Sequence, residues 1–314
     1  MPTIGTMPGH RRLARGRNAA LLVLLLVLPS CSLRRMAIDA AAGALSVGGA
    51  GWASDDDPEL VRDAAPFALK TVEGLLAQAP EDERLLLAAT SGFTQYSYAF
   101  VASEADYVEA EDLQRATALR QRALGLYRRA LGYGLRGLEA AHPGFERALR
   151  ADAQAALTGC AREDVPLLYW TAGAWSLLAA IAKHDAEVTA DLPLAVAMMT
   201  GARELDPGFE GGAIHDFFIA WEGGRPGAAG GSAIRARESF EQAVATSGGR
   251  RVAPYVTLAE TVSVADQDRA EFVRLLDQAL AVDVDAAPEF RLANLIAQRR
   301  AAWLRARVDE LFIE

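Results

Sequence analysis

From Pro58 to the C-terminus no stretch sustains an apolar–polar alternation, so a half-buried strand has nowhere to form. Apolar residues recur instead at three- and four-residue spacing, as in Leu292, Leu295, Ile296, Trp303, Leu304, Val308 and Leu311. That spacing places them on one face of an α-helix. Ala and Leu dominate the apolar residues, and both favour helix, whereas the β-branched and aromatic types that favour strands are sparse. The expected fold class is all-α. The first helix is expected at Asp55-Asp56-Asp57-Pro58, where acids and a proline fill the first turn.

A longer period overlies the helical one. Ala195, Met199, Ala202 and Pro207 run small, bulky, small, breaker. Ala236, Phe240, Ala243 and Gly248 repeat the order with Gly as the breaker; Ala68, Val72, Leu75 and Pro80 and then Phe272, Leu276, Ala279 and Val284 follow it more loosely. Trp175/Leu178/Ala179 and Tyr255/Leu258/Ala259 supply the partner pattern of aromatic, Leu and small residue. The starts at 195, 236 and 272 are 41 and 36 residues apart, near the ~34 of a tetratricopeptide repeat. The spacing therefore predicts an irregular tetratricopeptide-like solenoid over residues 58–314, its concave side the binding surface. The segment Pro288 to Phe312 is expected to be the terminal cap, one helix with Arg291, Arg299, Arg300, Arg305 and Arg307 on its wet face.

The N-terminus reads differently. Arg11, Arg12, Arg15 and Arg17 precede an unbroken apolar run, Ala19 to Leu28, and then Leu28-Pro29-Ser30-Cys31. This is the order of a secretory signal peptide, and the run is too short to span a bilayer as a permanent helix. Cys31 after a small residue fits a bacterial lipoprotein signal, with Cys31 lipidated. Residues 1–30 are then the signal and 31–57 an Ala/Gly-rich tether. Removing 30 of 314 residues leaves 284, and losing four Arg and no acid takes the net charge from −9 to −13. An acidic body argues against nucleic acid and against electrostatic docking on anionic lipid. Ser32 after the cysteine, with no Asp there, points to the outer membrane by the sorting habit of lipoproteins.

Little in the chain suggests catalysis, and no cofactor or metal is expected. His10 lies in the signal, His142 precedes Pro143, His184 sits at a helix end, and His215 alone lies among apolar residues. No HExxH, GxSxG, Walker or GxGxxG pattern occurs. Cys160 reads as a small buried hydrophobe. The Gly-rich segments Gly211-Gly212 and Gly223 to Gly231 read as helix-breaking turns. Aromatics are the richer signal. They fall in three groups: Phe93, Tyr96, Tyr98 and Phe100; Tyr169, Trp170 and Trp175; and Phe217, Phe218 and Trp221. Phe93, Tyr96, Tyr169, Trp170, His215 and Phe218 are the candidates for lining a ligand site, with rings for the apolar part of a ligand and polar tips for its head group.

Several segments together carry a family resemblance. They are Pro166-Leu-Leu-Tyr-Trp-Thr-Ala-Gly-Ala-Trp175, Arg203-Glu-Leu-Asp-Pro207, Gly211-Gly-Ala-Ile-His-Asp216, Ala236-Arg-Glu-Ser-Phe-Glu-Gln-Ala243, Ala265-Asp-Gln-Asp-Arg-Ala-Glu-Phe272 and Arg291-Leu-Ala-Asn-Leu-Ile-Ala-Gln-Arg-Arg-Ala-Ala-Trp-Leu304. In order and spacing the chain resembles the T-components of tripartite ATP-independent periplasmic (TRAP) transporters, the TatT-type lipoproteins, from about residue 60 to 313. The resemblance implies a tetratricopeptide-like helical lipoprotein around a hydrophobic cavity or pore. It implies self-association as a homotrimer, association with the periplasmic substrate-binding P-component and a small hydrophobic ligand. It implies no enzymatic activity.

Two rival readings use the same residues. A scaffold for envelope assembly would have no ligand passage; an envelope hydrolase would cluster His215 with an acid and a hydroxyl nucleophile. On the lipoprotein reading, Cys31→Ala should abolish fatty-acid labelling and yield released or uncleaved chain; an acylated mature form in that variant would refute it.

Overall fold

A computed structural model describes residues 1–3 and 50–313. Cys31, the basic and apolar leader and most of the 31–57 segment lie outside these residues. Among the described residues the fold is all-helical, without a strand. The helices that build the fold's main contacts are α1 (Pro58–Leu76), α2 (Glu83–Ser97), α3 (Ser103–Val108), α4 (Leu113–Ala141), α5 (Val165–Ile181), α6 (Leu192–Leu205), α7 (Phe209–Gly223), α8 (Ala233–Ser247), α9 (Ala253–Leu258), α10 (Arg269–Ala281) and α11 (Arg291–Ala306). No described helix is long and apolar enough to cross a membrane.

Helix starts follow from local chemistry. Asp57 accepts from the Glu59 and Leu60 amides at 3.0 Å, with Pro58 in the first turn, as the acid–proline signal predicts. Asp82, Asp112, Ser232 and Asp268 cap α2, α4, α8 and α10 in the same way. The Gly211-Gly212 pair does break the helical path. Glu210, Gly211 and Gly212 have φ of 45°, 65° and 89° at the start of α7. A β-carbon on Gly211 would lie 2.6 Å from Phe290 Cζ, so both space and backbone require glycine there.

Packing runs largely from neighbour to neighbour: α1 on α2, α2 on α4, α4 on α5, α5 on α6, α7 on α8, α9 on α10 and α10 on α11. The small positions of the sequence pattern are where helices meet. Ala195, Ala202, Ala236, Ala243 and Ala279 are fully buried, with Met199, Phe272 and Leu276 beside them. Three apolar clusters result. Leu69, Leu85, Phe93 and Tyr127 belong to the first, Leu138, Trp175, Met198 and Ile214 to the second, and Ile219, Val256, Phe272 and Leu304 to the third.

The C-terminal segment departs from the expected single cap helix. It is a 3₁₀ turn (Pro288–Phe290), then α11, then a short helix (Val308–Leu311). Its arginines are not all on a wet face. Arg300 has only 15% of its side chain exposed and points inward, and α11 returns to pack on α1 and on the turn Ala50–Ala53. Arg291 Nη1 donates to the Ser54 carbonyl at 3.1 Å, and the Tyr107 and Trp303 rings meet at 5.4 Å. Cys160, read from the sequence as a small buried hydrophobe, is partly exposed as a residue, while its ligand-bearing side chain is buried.

Close helix approach makes two glycines of α4 unequal. A β-carbon on Gly134 would lie 2.9 Å from Thr171 Cβ and nearer still to its Oγ1, whereas Gly132 has open space. Gly134→Ala should therefore destabilise by about 1–3 kcal/mol through overpacking. Gly132→Ala should stabilise by up to about 1 kcal/mol through helix propensity. Denaturant unfolding of the two variants checks the contrast; equal midpoints would contradict the packing.

Candidate functional site

Two helices loosen where they reach the middle of the molecule. After Ser97, α2 passes into a π turn, Tyr98–Ala102; after Leu258, α9 passes into another, Ala259–Ser263. Buried hydroxyls lead into the first. Thr90 and Thr94 each donate to the carbonyl four residues back at 2.7 Å, and Ser103 donates to the Tyr98 carbonyl at 2.8 Å. Such back-bonding competes with the helical ladder and bends it. Single π turns are uncommon and concentrate at functional sites.

Both π turns contribute to one cavity of about 210 Å³. Its polar wall is Tyr98, Ser103, Asp106, Arg120, Tyr127, Glu260 and Arg300; Ala102, Leu177, Ala180 and Ile181 form the apolar wall. The charges alternate. Arg120 Nη2 donates to Asp106 Oδ1 at 3.1 Å, and Arg300 Nη1 donates to Asp106 Oδ2 at 3.0 Å. The other Arg300 nitrogens reach the Glu260 carboxylate. Outside the lining, Arg120 also binds Glu109 at 2.6 and 2.8 Å, so the connected network of two arginines and three carboxylates carries a formal charge of −1. Burial would lower the Arg300 pKa, but Glu260 and Asp106 outweigh it and raise the pKa overall, so the guanidinium stays charged.

Two tyrosines complete the polar wall. Tyr127 is fully buried, and its hydroxyl has no hydrogen-bond partner among the described residues. Tyr98 lines the cavity with half of its surface exposed, its hydroxyl near Glu260 and Arg300. Burial, reinforced by the Glu260 charge, pushes that hydroxyl up to about 12, so it remains a donor at neutral pH. Charged groups of both signs beside an apolar wall can hold a molecule with a polar group and an apolar portion.

None of the six sequence candidates is among the residues lining this cavity. Phe93 and Tyr96 lie in the first core cluster. Phe93 stacks on Tyr133 at 6.0 Å, and the Tyr96 hydroxyl accepts from Arg122 at 3.1 Å. The other four gather around α5 and α7. Tyr169 meets Trp170 edge-on at 4.9 Å and Phe209 at 5.1 Å; the Arg203 guanidinium lies 3.9 Å from the Phe218 ring centre. His215 is buried, which lowers its pKa, as does the Arg203 charge. Its ring is hydrogen-bonded to the Pro207 backbone, while Asp216 pairs with Arg251 at 2.6 Å. Burial pushes the Cys160 thiol up to about 11. Of the aromatic group 93–100, Tyr98 is the member that reaches the cavity. A π turn leaves no spacing signature, and Asp106, Glu260 and Arg300 lie too far apart in sequence to suggest one site.

Arg300→Met should cost about 1–3 kcal/mol. Breaking a fully buried pair costs more, but Asp106 and Glu260 are 37% and 36% exposed, so solvent screens the orphaned carboxylates. Thermal unfolding at low and high salt checks this; no loss at either would show the network to be energetically idle.

Comparison with known proteins bears on what this site serves. The chain is 29% identical over 267 residues to a protein of Treponema pallidum (strain Nichols) described as uncharacterized, covering 84% of this chain and 83% of that protein. The family model of the TRAP transporter T-component matches residues 54–312, the helical array and the cavity together. The chain belongs to the TRAP transporter T-component family.

Proposed function

We propose that the chain is a lipid-anchored periplasmic accessory protein of a TRAP solute-uptake system, held to the outer membrane through Cys31 and docked on the periplasmic substrate-binding component. Membership of a transport-accessory family supports the role. The observation that carries the ligand part is the cavity at the junction of the two π turns. Its mixed wall favours a small amphipathic molecule over a purely hydrophobic one: Leu177 and Ile181 take the apolar part, and Tyr98 and Ser103 with the charged groups beside them take the polar part. Leu60 and Phe67 stand exposed seven residues apart on α1 and offer an apolar anchor for the partner protein or for the copies of a homotrimer. In the tetratricopeptide-like reading, the helical array is a rigid frame around that cavity.

The test separates docking from ligand binding. The chain and the substrate-binding component of the same system, mixed at roughly 50 µM, should co-elute and give a calorimetric binding signal; silence there overturns the docking reading. Ala102→Phe narrows the cavity. It should remove small molecules retained in native mass spectra of the wild type while leaving docking intact. A variant that retains the same molecules would place the ligand elsewhere.

A further inference from the structure

Three side chains of metal-ligating type converge at the C-terminal end of α4, apart from the cavity. His142 is the first residue beyond that helix, with extended backbone at φ −132°. Cys160 follows the short helix Ala153–Leu157, and Asp164 ends the 3₁₀ turn that leads into α5. One ligand atom of each lies within 4.8 Å of the other two.

The geometry of the closest pair is informative. His142 Nε2 stands 2.9 Å from Asp164 Oδ1, yet that nitrogen is buried and makes no hydrogen bond among the described residues. The two atoms are near but not aimed at each other. Two ligand atoms each about 2.0–2.1 Å from one tetrahedral ion lie about 3.3–3.4 Å apart, so the pair would open by about 0.4 Å to admit the ion. Asp164 is also held in place. Its second oxygen accepts from the Ala161 amide at 2.8 Å, which leaves Oδ1 to face the histidine. The Cys160 amide is tied back to the Leu157 carbonyl at 3.1 Å, so the loop carrying the thiol is anchored too. One imidazole, one thiol and one carboxylate form a donor set that suits zinc; Mg²⁺ and Ca²⁺ prefer oxygen alone.

We propose that His142, Cys160 and Asp164 form a three-ligand site for a zinc-type divalent cation, with the fourth position of the tetrahedron open. Binding takes up the cation and releases the thiol proton to solvent, leaving a thiolate bound to it. The bound ion would tie the end of α4 to the start of α5. This inference is independent of the transport reading.

The test is a titration of the full, tag-free chain with Co²⁺ and Zn²⁺. Co²⁺ should bind at one equivalent and give a thiolate-to-cobalt charge-transfer band with tetrahedral visible bands. Cys160→Ser, which keeps Cys31, should lose the charge-transfer band, and His142→Gln should weaken Zn²⁺ binding by more than about 100-fold. The absence of stoichiometric uptake by the wild type overturns the site, as does an unchanged band in a folded Cys160→Ser protein. A readout on the wild type alone guards against misfolded variants. Zn²⁺ should slow alkylation of Cys160, read by peptide mass spectrometry, and a chelator should restore the rate; an alkylation rate indifferent to Zn²⁺ overturns the proposal.

Discussion

Arg300 holds together parts of the chain that are far apart in sequence. Its two carboxylate partners lie 194 and 40 residues away, and through Asp106 it is linked to Arg120. The link exists because α11 folds back on the N-terminal helices, where Arg299 also pairs with Glu104 at 3.3 Å and Arg291 reaches the Ser54 carbonyl. Ion pairs this exposed contribute about 0–1 kcal/mol each. They do not hold the fold together against unfolding; burial in the three apolar clusters does that. What the network adds is specificity of position. A guanidinium with 15% exposure between two carboxylates tolerates little sliding, so the end of the array is set against its beginning.

The interior space follows from side-chain size. Alanine or glycine at helix contacts brings backbones close, as at Gly134 against Thr171 and Gly137 against Leu167. Where helices pack this tightly there is little room for a ligand. Room appears where the ladder is interrupted, at the π turns, because a bulged turn displaces the helix from its neighbour. Phe93 and Tyr127 illustrate the difference. Both belong to the same cluster, but Phe93 is stacked on another ring, whereas Tyr127 stands behind the cavity wall with its hydroxyl unpartnered and closed off from solvent.

A second polar location lies between α5 and α7. The Asp216–Arg251 pair is mostly buried, with one carboxylate oxygen and one guanidinium nitrogen lacking partners among the described residues. Burial raises the Asp216 pKa, and Arg251 opposes that shift. Next to it, Glu210 holds a left-handed backbone without being glycine, a conformation that costs about 1 kcal/mol and persists only where the surroundings enforce it. Its chain neighbours are held on both sides, Phe209 against the Tyr169 ring and Gly211 against Phe290.

Helical class, the start at Pro58, the break at Gly211-Gly212 and the buried alanines of the 195, 236 and 272 segments were legible in the sequence. Each depends on residues within about two turns of one another: periodicity, a cap, a required positive φ. The family was legible as well, because the order of local segments survives divergence. The cavity was not. Its polar wall draws on Tyr98, Asp106, Tyr127, Glu260 and Arg300, and no local rule distinguishes an inward arginine on α11 from its outward neighbours. Arg299 and Arg300 are adjacent in sequence, with side chains 51% and 15% exposed respectively, and only the return of α11 onto the N-terminal helices decides which of them meets Asp106. Local chemistry thus determined the helices and their caps, while the return of α11 onto the N-terminal helices decided which charges face inward and where the cavity lies.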